Sequence, residues 1–372
     1  MRKMTCVIVS LFAIFLCGST LCAQDKGSVS LPTAQDSLDY CMRQARKALQ
    51  ARQSSAAFRW YRRAVHYGSP SAFVALGNCY YFGYGTPRDY DKAYRWFYKA
   101  AEQENAVGEY SIGRCYYYGH GTSRDGNQAA AWFRLAAEKG NAMASYRLGC
   151  CYKDADGVPR NYHRAIGYLE KAAADSIAPA FYMLGTVYET EDADWKADPK
   201  KAFENYRTAA RLGDARAQYK LGNFYETGRG GVRDFEQAWK WYLRAARNGD
   251  MEAQYRVGRC YYYGLFNVKN DYSKACYWLS QAAAQNHPRA QYHVGLLYLN
   301  GEGVTQDYKQ AYHWFRRSAD QGYAPGIYYL GRCYLNGYGV TADRSSAAEC
   351  FREAAKAGHS SAKAELILLN QE

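Results

Sequence analysis

Apolar residues in this chain fall three and four apart, stop at a glycine-rich joint, and resume with the same spacing. In Ala215–Asp250 (ARAQYKLGNFYETGRGGVRDFEQAWKWYLRAARNGD), Ala217, Leu221 and Tyr225 lie on one face of a predicted helix. Ala238, Trp241, Tyr242, Ala245 and Ala246 then follow the i, i+3, i+4, i+7, i+8 pattern of a second helix. Between them TGRGGVRD turns the chain. Two short amphipathic helices cannot bury both apolar faces against each other alone, so the hairpin needs neighbours.

The chain supplies them by repetition. A glycine in the first helix recurs at Gly77, Gly113, Gly149, Gly185, Gly222, Gly258, Gly295 and Gly331, in steps of 36 or 37 residues, and a fixed period in this range marks a solenoid. A tyrosine follows each glycine by three residues, from Tyr80 to Tyr334, and an alanine opens each second helix, from Ala93 to Ala347. Trp96, Trp132, Trp241, Trp278 and Trp314 share one slot three residues later. Four residues before each alanine stands Asp89, Asp125, Asn161, Asp198, Asp234, Asp271, Asp307 or Asp343, a short side chain able to accept hydrogen bonds from free backbone N–H groups at the helix start. Pro199 suits the first position of its helix. The Gly-x-Gly pairs, such as Gly83 with Gly85 and Gly301 with Gly303, supply positive φ where the first helix stops. No predicted strand precedes them and they recur at most joints, which argues against a phosphate loop. Glu189–Asp198 (ETEDADWKAD) departs from the rule, replacing Gly-x-Gly by acidic residues and a tryptophan; it is either a distinct interaction site or a drifted loop.

The ends read differently. Residues 1–23 open with Arg2 and Lys3, continue through the apolar run Thr5–Leu16 and close on Leu21-Cys22-Ala23, the layout of a cleaved export signal without a lipoprotein box. Residues 24–37 have no apolar period and read as a disordered leader. A degenerate capping repeat is expected over 38–70, eight full repeats over 71–359 and a capping helix over 360–372. No membrane span is expected after removal of the signal, which places the protein in the periplasm or outside the cell.

Charge adds little specificity. The formal charge is +13, or +11 without Arg2 and Lys3, and it is spread over every repeat, as solvated helix faces would be. Nucleic acid is an unsuitable partner for an exported chain. Of twelve cysteines, Cys79, Cys115, Cys151, Cys260 and Cys333 share one repeat position, where neighbouring copies stand about 8–10 Å apart, too far for a disulfide. They read as small buried packing residues. Cys260 with Cys276 and Cys333 with Cys350 are left as candidate bridges, and the absence of Cys-x-x-Cys argues against zinc.

The pattern Ala-x-x-x-Leu-Gly-x-x-Tyr-x-x-Gly-x-Gly-Val-x-x-Asp-x-x-x-Ala-x-x-Trp-Tyr-x-x-Ala-Ala-x-x-Gly resembles the Sel1-like repeat, a longer relative of the tetratricopeptide repeat, and copies run from about Ser55 to Ser361. The resemblance implies an all-α fold: an α/α solenoid, a right-handed superhelix of antiparallel helix pairs with first helices lining a concave surface. It also implies an adaptor that holds other proteins. A cysteine-rich branch with one disulfide per repeat has been linked to penicillin binding; this chain lacks those paired cysteines, so that activity is not carried over.

By the same analogy, concave positions lie one and four residues after each glycine. The candidates for partner binding are Asn78, Tyr81, Arg114, Tyr117, Asn223, Arg259, Tyr262 and Arg332, with Arg114–Tyr117 and Arg259–Tyr262 as same-helix pairs. Arginine and tyrosine concentrate binding energy through bidentate hydrogen bonds and rigid aromatic area, and suit a peptide bearing carboxylates or a sugar on an aromatic ring. The alternative is that the 38 tyrosines simply pack helices together. Catalytic signals are poor: the seven histidines hold unrelated repeat positions, and Ser360-x-x-Lys363 lacks the companion motifs of an acylating enzyme. The expectation is a non-enzymatic scaffold without cofactor or metal, binding a protein or peptide, with an anionic cell-wall or capsular polysaccharide as the alternative ligand and an enzyme acting on peptidoglycan or β-lactams as a remote one.

Overall fold

A computed structural model describes residues 33–231 and 233–371. The expected export signal and most of the leader lie outside these residues. The described chain runs through nineteen helices. A cap of α1 (Ala34–Gln50) and α2 (Ser54–Ala64) leads into eight hairpins. These are α3 (Pro70–Phe82) with α4 (Tyr90–Ala101), α5 (Ala106–Tyr118) with α6 (Gly126–Glu138), α7 (Ala142–Asp154) with α8 (Tyr162–Ala174), and α9 (Ala178–Glu189) with α10 (Pro199–Arg211). They continue as α11 (Ala215–Thr227) with α12 (Phe235–Arg247), α13 (Met251–Tyr263) with α14 (Tyr272–Ala284), α15 (Pro288–Asn300) with α16 (Tyr308–Ala319), and α17 (Ala324–Asn336) with α18 (Arg344–Lys356). α19 (Ser360–Gln371) closes the array. Among the described residues no helix is long and apolar enough to cross a membrane.

Each second helix begins where the sequence places it. The side chains of Asp89, Asp125, Asn161, Asp198, Asp234, Asp271, Asp307 and Asp343 all accept backbone N–H bonds two or three residues on. Such a cap contributes about 1 kcal/mol. One boundary differs from expectation. The leader's last residues are helical, because Thr33 and Asp36 form a reciprocal capping box that starts α1 at Ala34 instead of Leu38.

Within a hairpin the recurring glycine lets the two helices approach. A Cβ added at Gly113 would stand 2.6 Å from the Phe133 ring, at Gly222 2.8 Å from Tyr242 and at Gly295 2.6 Å from Phe315. The facing ring or leucine, four residues into the second helix after its alanine, is fully buried in every repeat. Cys79, Cys115, Cys151, Cys260 and Cys333 sit buried beside these contacts as free thiols, and Cys276 and Cys350 are free as well, so neither candidate bridge forms. Burial pushes the Cys115 thiol up to about 12, which makes it a packing group and a poor nucleophile.

Between repeats the second glycine of each Gly-x-Gly does more than supply positive φ. A Cβ on Gly121 would strike the carbonyl of Tyr90, the first residue of α4; Gly157, Gly303 and Gly339 meet Gly126, Tyr272 and Tyr308 in the same way. The backbone of each joint is thus clasped onto the start of the preceding second helix. The joints 190–198 and 264–271 lack that glycine, and there Trp195 packs on Tyr162 at 5.5 Å and Phe266 on Phe235 at 5.4 Å. A buried amide ladder adds polar coupling in the C-terminal half. Gln218, Gln254 and Gln291 cap the carbonyls of Ala210, Ala246 and Ala283 in the preceding repeat, and each accepts from the end of the second helix of its own hairpin through Asn248, Gln285 or Gln321. Glu109 and Lys139 occupy the corresponding place nearer the N-terminus as an ion pair at 2.6 Å.

Candidate interaction surface

The first helices of successive repeats touch one another (α3 with α5, α7 with α9, α15 with α17), and no pair of second helices packs as closely. The array therefore curves around its first helices, whose free faces line the concave side. The placement of arginine and tyrosine on that side differs from the expected same-helix pairs. Arg114 lies over Tyr81 of the preceding repeat at 4.5 Å and over Tyr110 at 5.7 Å, while Tyr117 receives Arg147 of the next repeat at 5.7 Å. Arg259 lies over Tyr255 and Tyr263, both at 5.7 Å, and Tyr262 turns aside to donate to Glu302 Oε2 at 3.3 Å. Arg259 thus pairs with the tyrosines four residues away on its own helix, and Arg114 and Tyr117 pair across repeat boundaries. Arg332 covers Tyr329 at 5.7 Å, and Asn78 and Asn223 are half-buried on α3 and α11.

Tyr81 is not surface at all. It is 6% exposed, its hydroxyl bonds His120 Nδ1 at 2.8 Å, and it packs against Tyr90 and Phe97. The tyrosines that do face solvent are one residue further on, Tyr118 at 44% and Tyr263 at 52% exposed. Arg147 and Arg289 join them. Tyr118 and Tyr263 were available from the sequence one turn after Arg114 and Arg259, whereas Arg147 and Arg289 come from the next first helices and enter only through the stacking of repeats.

The middle of the face is self-neutralised. Glu189 accepts from the Tyr206 hydroxyl at 2.7 Å, Lys220 Nζ at 2.9 Å and Arg229 Nη1 at 3.0 Å. Glu226 takes the Tyr242 hydroxyl at 2.6 Å and pairs with Arg256. Burial alone would raise the Glu189 carboxyl; the bonds from Lys220 and Tyr206 and the charges of Lys220 and Arg229 outweigh it and hold it below the usual range. Further along the acidic joint, Asp192 pairs with Arg160 at 3.1 Å and Trp195 donates to the Val187 carbonyl at 2.9 Å. Its first residue, Glu189, and Asp192 are therefore engaged within the array. On either side of the middle, Arg114, Arg147, Arg259, Arg289 and Arg332 have no carboxylate partner among the described residues.

Near Arg259 the buried His293 holds its Nδ1 proton on the Arg289 carbonyl at 2.7 Å, so Nε2 accepts from the Tyr263 hydroxyl at 3.2 Å. Burial pulls its pKa down from 6.5 to about 4. The unfolded chain takes up this proton first, so stability is complete above about pH 6.5 and is lost as pH falls towards 4. We expect the loss over that window to be on the order of 2–3 kcal/mol and to shrink in His293→Gln. Urea denaturation of both proteins between those pH values measures it; equal slopes would remove the histidine from the account. No group of three or more potential metal ligands occurs among the described residues, and Ser360 and Lys363 are both exposed on α19.

The Sel1 repeat model matches residues 51–66, 71–105, 106–141, 142–176, 178–214, 215–250, 252–287, 288–323 and 324–359. Among solved structures, a Sel1 repeat protein from Oxalobacter formigenes is similar at 28% identity and a TM-score of 0.63, covering 93% of this chain and 98% of its own. The protective antigen c5321 of uropathogenic Escherichia coli strains, which displays an SLR fold, is 26% identical with a TM-score of 0.54, covering 91% of this chain and 80% of its own. No curated protein matches.

Proposed function

The chain belongs to the Sel1 repeat family, and we propose that it is an exported, non-enzymatic scaffold that holds a protein partner along the concave face of the solenoid. The observation that carries this reading is the row of arginines on that face, from Arg114 to Arg332, none of which forms an ion pair with a carboxylate among the described residues. Elsewhere on the same face every cation beside Glu189 or Glu226 is paired, so the open arginines are not a general property of the fold. An arginine stacked on tyrosine is held in place while its outer edge keeps donors free, which suits recognition at low entropic cost. Export rests on Arg2, Lys3 and the run Thr5–Leu16. The non-enzymatic reading rests on thiols raised by burial and a His293 ring kept neutral by its surroundings.

Site-specific photo-crosslinking in the native cell tests the reading. A benzophenone side chain at Tyr118 or Tyr263, exposed on first helices, should give a defined protein adduct. The same group at Tyr98 or Tyr277, exposed on second helices, should not. Adducts from the second helices alone would turn the surface over.

A further inference from the structure

The two open stretches of the concave face are not equivalent, and the C-terminal one forms an open hollow shared by three first helices. α13, α15 and α17 wall a cavity of about 380 Å³ that includes Arg259, Arg289, Tyr263, Tyr292 and Tyr323. From these residues we infer a carboxylate-binding site that takes an extended acidic peptide segment, a deeper statement of the scaffold reading and resting on it.

Three observations converge. Two guanidinium groups from adjacent repeats line the cavity without an acid: Arg259 is held over Tyr255 and Tyr263, and Arg289 is exposed. The nearby carboxylate, Glu252, is engaged elsewhere, 3.4 Å from His287 Nε2, and that contact, before the charge of Arg289, sets its lowered pKa. The remaining polar groups complement an anion without competing for it. His293 is neutral and saturated at both nitrogens, and the Tyr323 hydroxyl has no partner among the described residues. The cations two residues before the recurring glycine, Lys220 on α11 and Arg256 on α13, are quenched by Glu189 and Glu226, and on α15 that position is taken by the neutral His293, so the open charge here is that of Arg259 and Arg289.

The ring geometry selects a peptide over a uronate sugar. A sugar needs a free flat aromatic face, and here the faces are taken. Tyr255 is stacked on His287 at 4.4 Å, Arg259 covers Tyr263, and Tyr292 meets Tyr323 and Tyr329 edge to face at 5.7 and 5.5 Å. What the cavity offers is hydroxyl edges and two planar forks, which match carboxylates spaced along an extended backbone.

The test uses the mature chain and a fluorescein-labelled hexaglutamate peptide read by anisotropy, with hexaglutamine as the neutral control. Hexaglutamate should bind and hexaglutamine should not, and binding should weaken as salt screens it. Arg289→Gln should weaken it roughly tenfold, with a larger loss when combined with Arg259→Gln. Arg229→Gln, whose arginine is paired with Glu189, should leave it unchanged. Because Arg289 is exposed, its single substitution keeps the fold and decides the matter even if Arg259→Gln unfolds. No binding, or equal binding by Arg289→Gln, overturns the site. Trigalacturonate binding more tightly than hexaglutamate overturns the peptide assignment. Adducts at Tyr118 and Tyr263 that persist in Arg289→Gln while hexaglutamate fails would separate loss of this site from loss of the scaffold reading.

Discussion

Gly121→Ala should destabilise the array by about 2–5 kcal/mol, although it adds one methyl group to a surface joint. Gly121 has φ +74, and an alanine held there is strained by roughly 1–2 kcal/mol. Its Cβ would also strike the Tyr90 carbonyl and come within 3.0 Å of Tyr94 Cβ, a backbone clash that no rotamer relieves and that overpacking data place at about 1–3 kcal/mol. Gly140 is the control, with φ +83 and nothing within 4 Å of an added Cβ, so Gly140→Ala reports strain alone. Since each repeat contacts only its neighbours, the damage should appear as two unfolding steps instead of a uniform shift. Urea titration followed by helix content and by tryptophan fluorescence would show both features. Equal losses for the two variants would mean that the joint is not clasped to the preceding helix.

The second large effect is expected at Glu226. Its side chain is 20% exposed and that of Arg256 24%, and Tyr242, fully packed, donates to the same carboxylate. Glu226→Ala leaves a largely buried guanidinium without its acid and a phenol without its acceptor, at a cost of about 3 kcal/mol. Arg256 Nε already has no hydrogen bond, so the guanidinium has no second partner to fall back on. Replacing both ends, Glu226→Leu with Arg256→Met, removes the charges together and should return stability to within about 1 kcal/mol of the parent. A double variant as unstable as Glu226→Ala would show that the loss is one of packing and not of an orphaned charge.

Helix pairing, the caps and the recurring glycine were legible because each is local to one repeat and written eight times over, whereas the ring or leucine that meets that glycine came only with the packing. Asp89 and its seven equivalents announce their helix starts within four residues. The pairings that give the concave face its character were not legible in the same way. Arg114 meets Tyr81 and Arg147 meets Tyr117 across a repeat boundary, a distance set by stacking and not by spacing on one helix. Tyr81 was misplaced as surface for the same reason: its hydroxyl is consumed by His120 of the following joint. The ladder of Gln218, Gln254 and Gln291 was present as a periodic signal, but in only part of the array, where a pattern of eight glycines overshadowed it. Glu189 was read with the acidic joint it begins, whereas the structure makes it the counter-ion of Lys220 and Arg229.

The joints also decide where this chain can change length. A clasp made of backbone against backbone has no slack, and 119–125 and 301–307, which carry it, hold their glycines hard against Tyr90 and Tyr272. The joints 190–198 and 264–271 are longer, and without the glycine clasp they rest on the preceding second helix through a ring, Trp195 on Tyr162 and Phe266 on Phe235. Side chains can slide and re-seat where main chain cannot. Extra residues, a grafted epitope or a reporter loop therefore belong at those two places, where the solenoid already absorbs an irregular count without losing step.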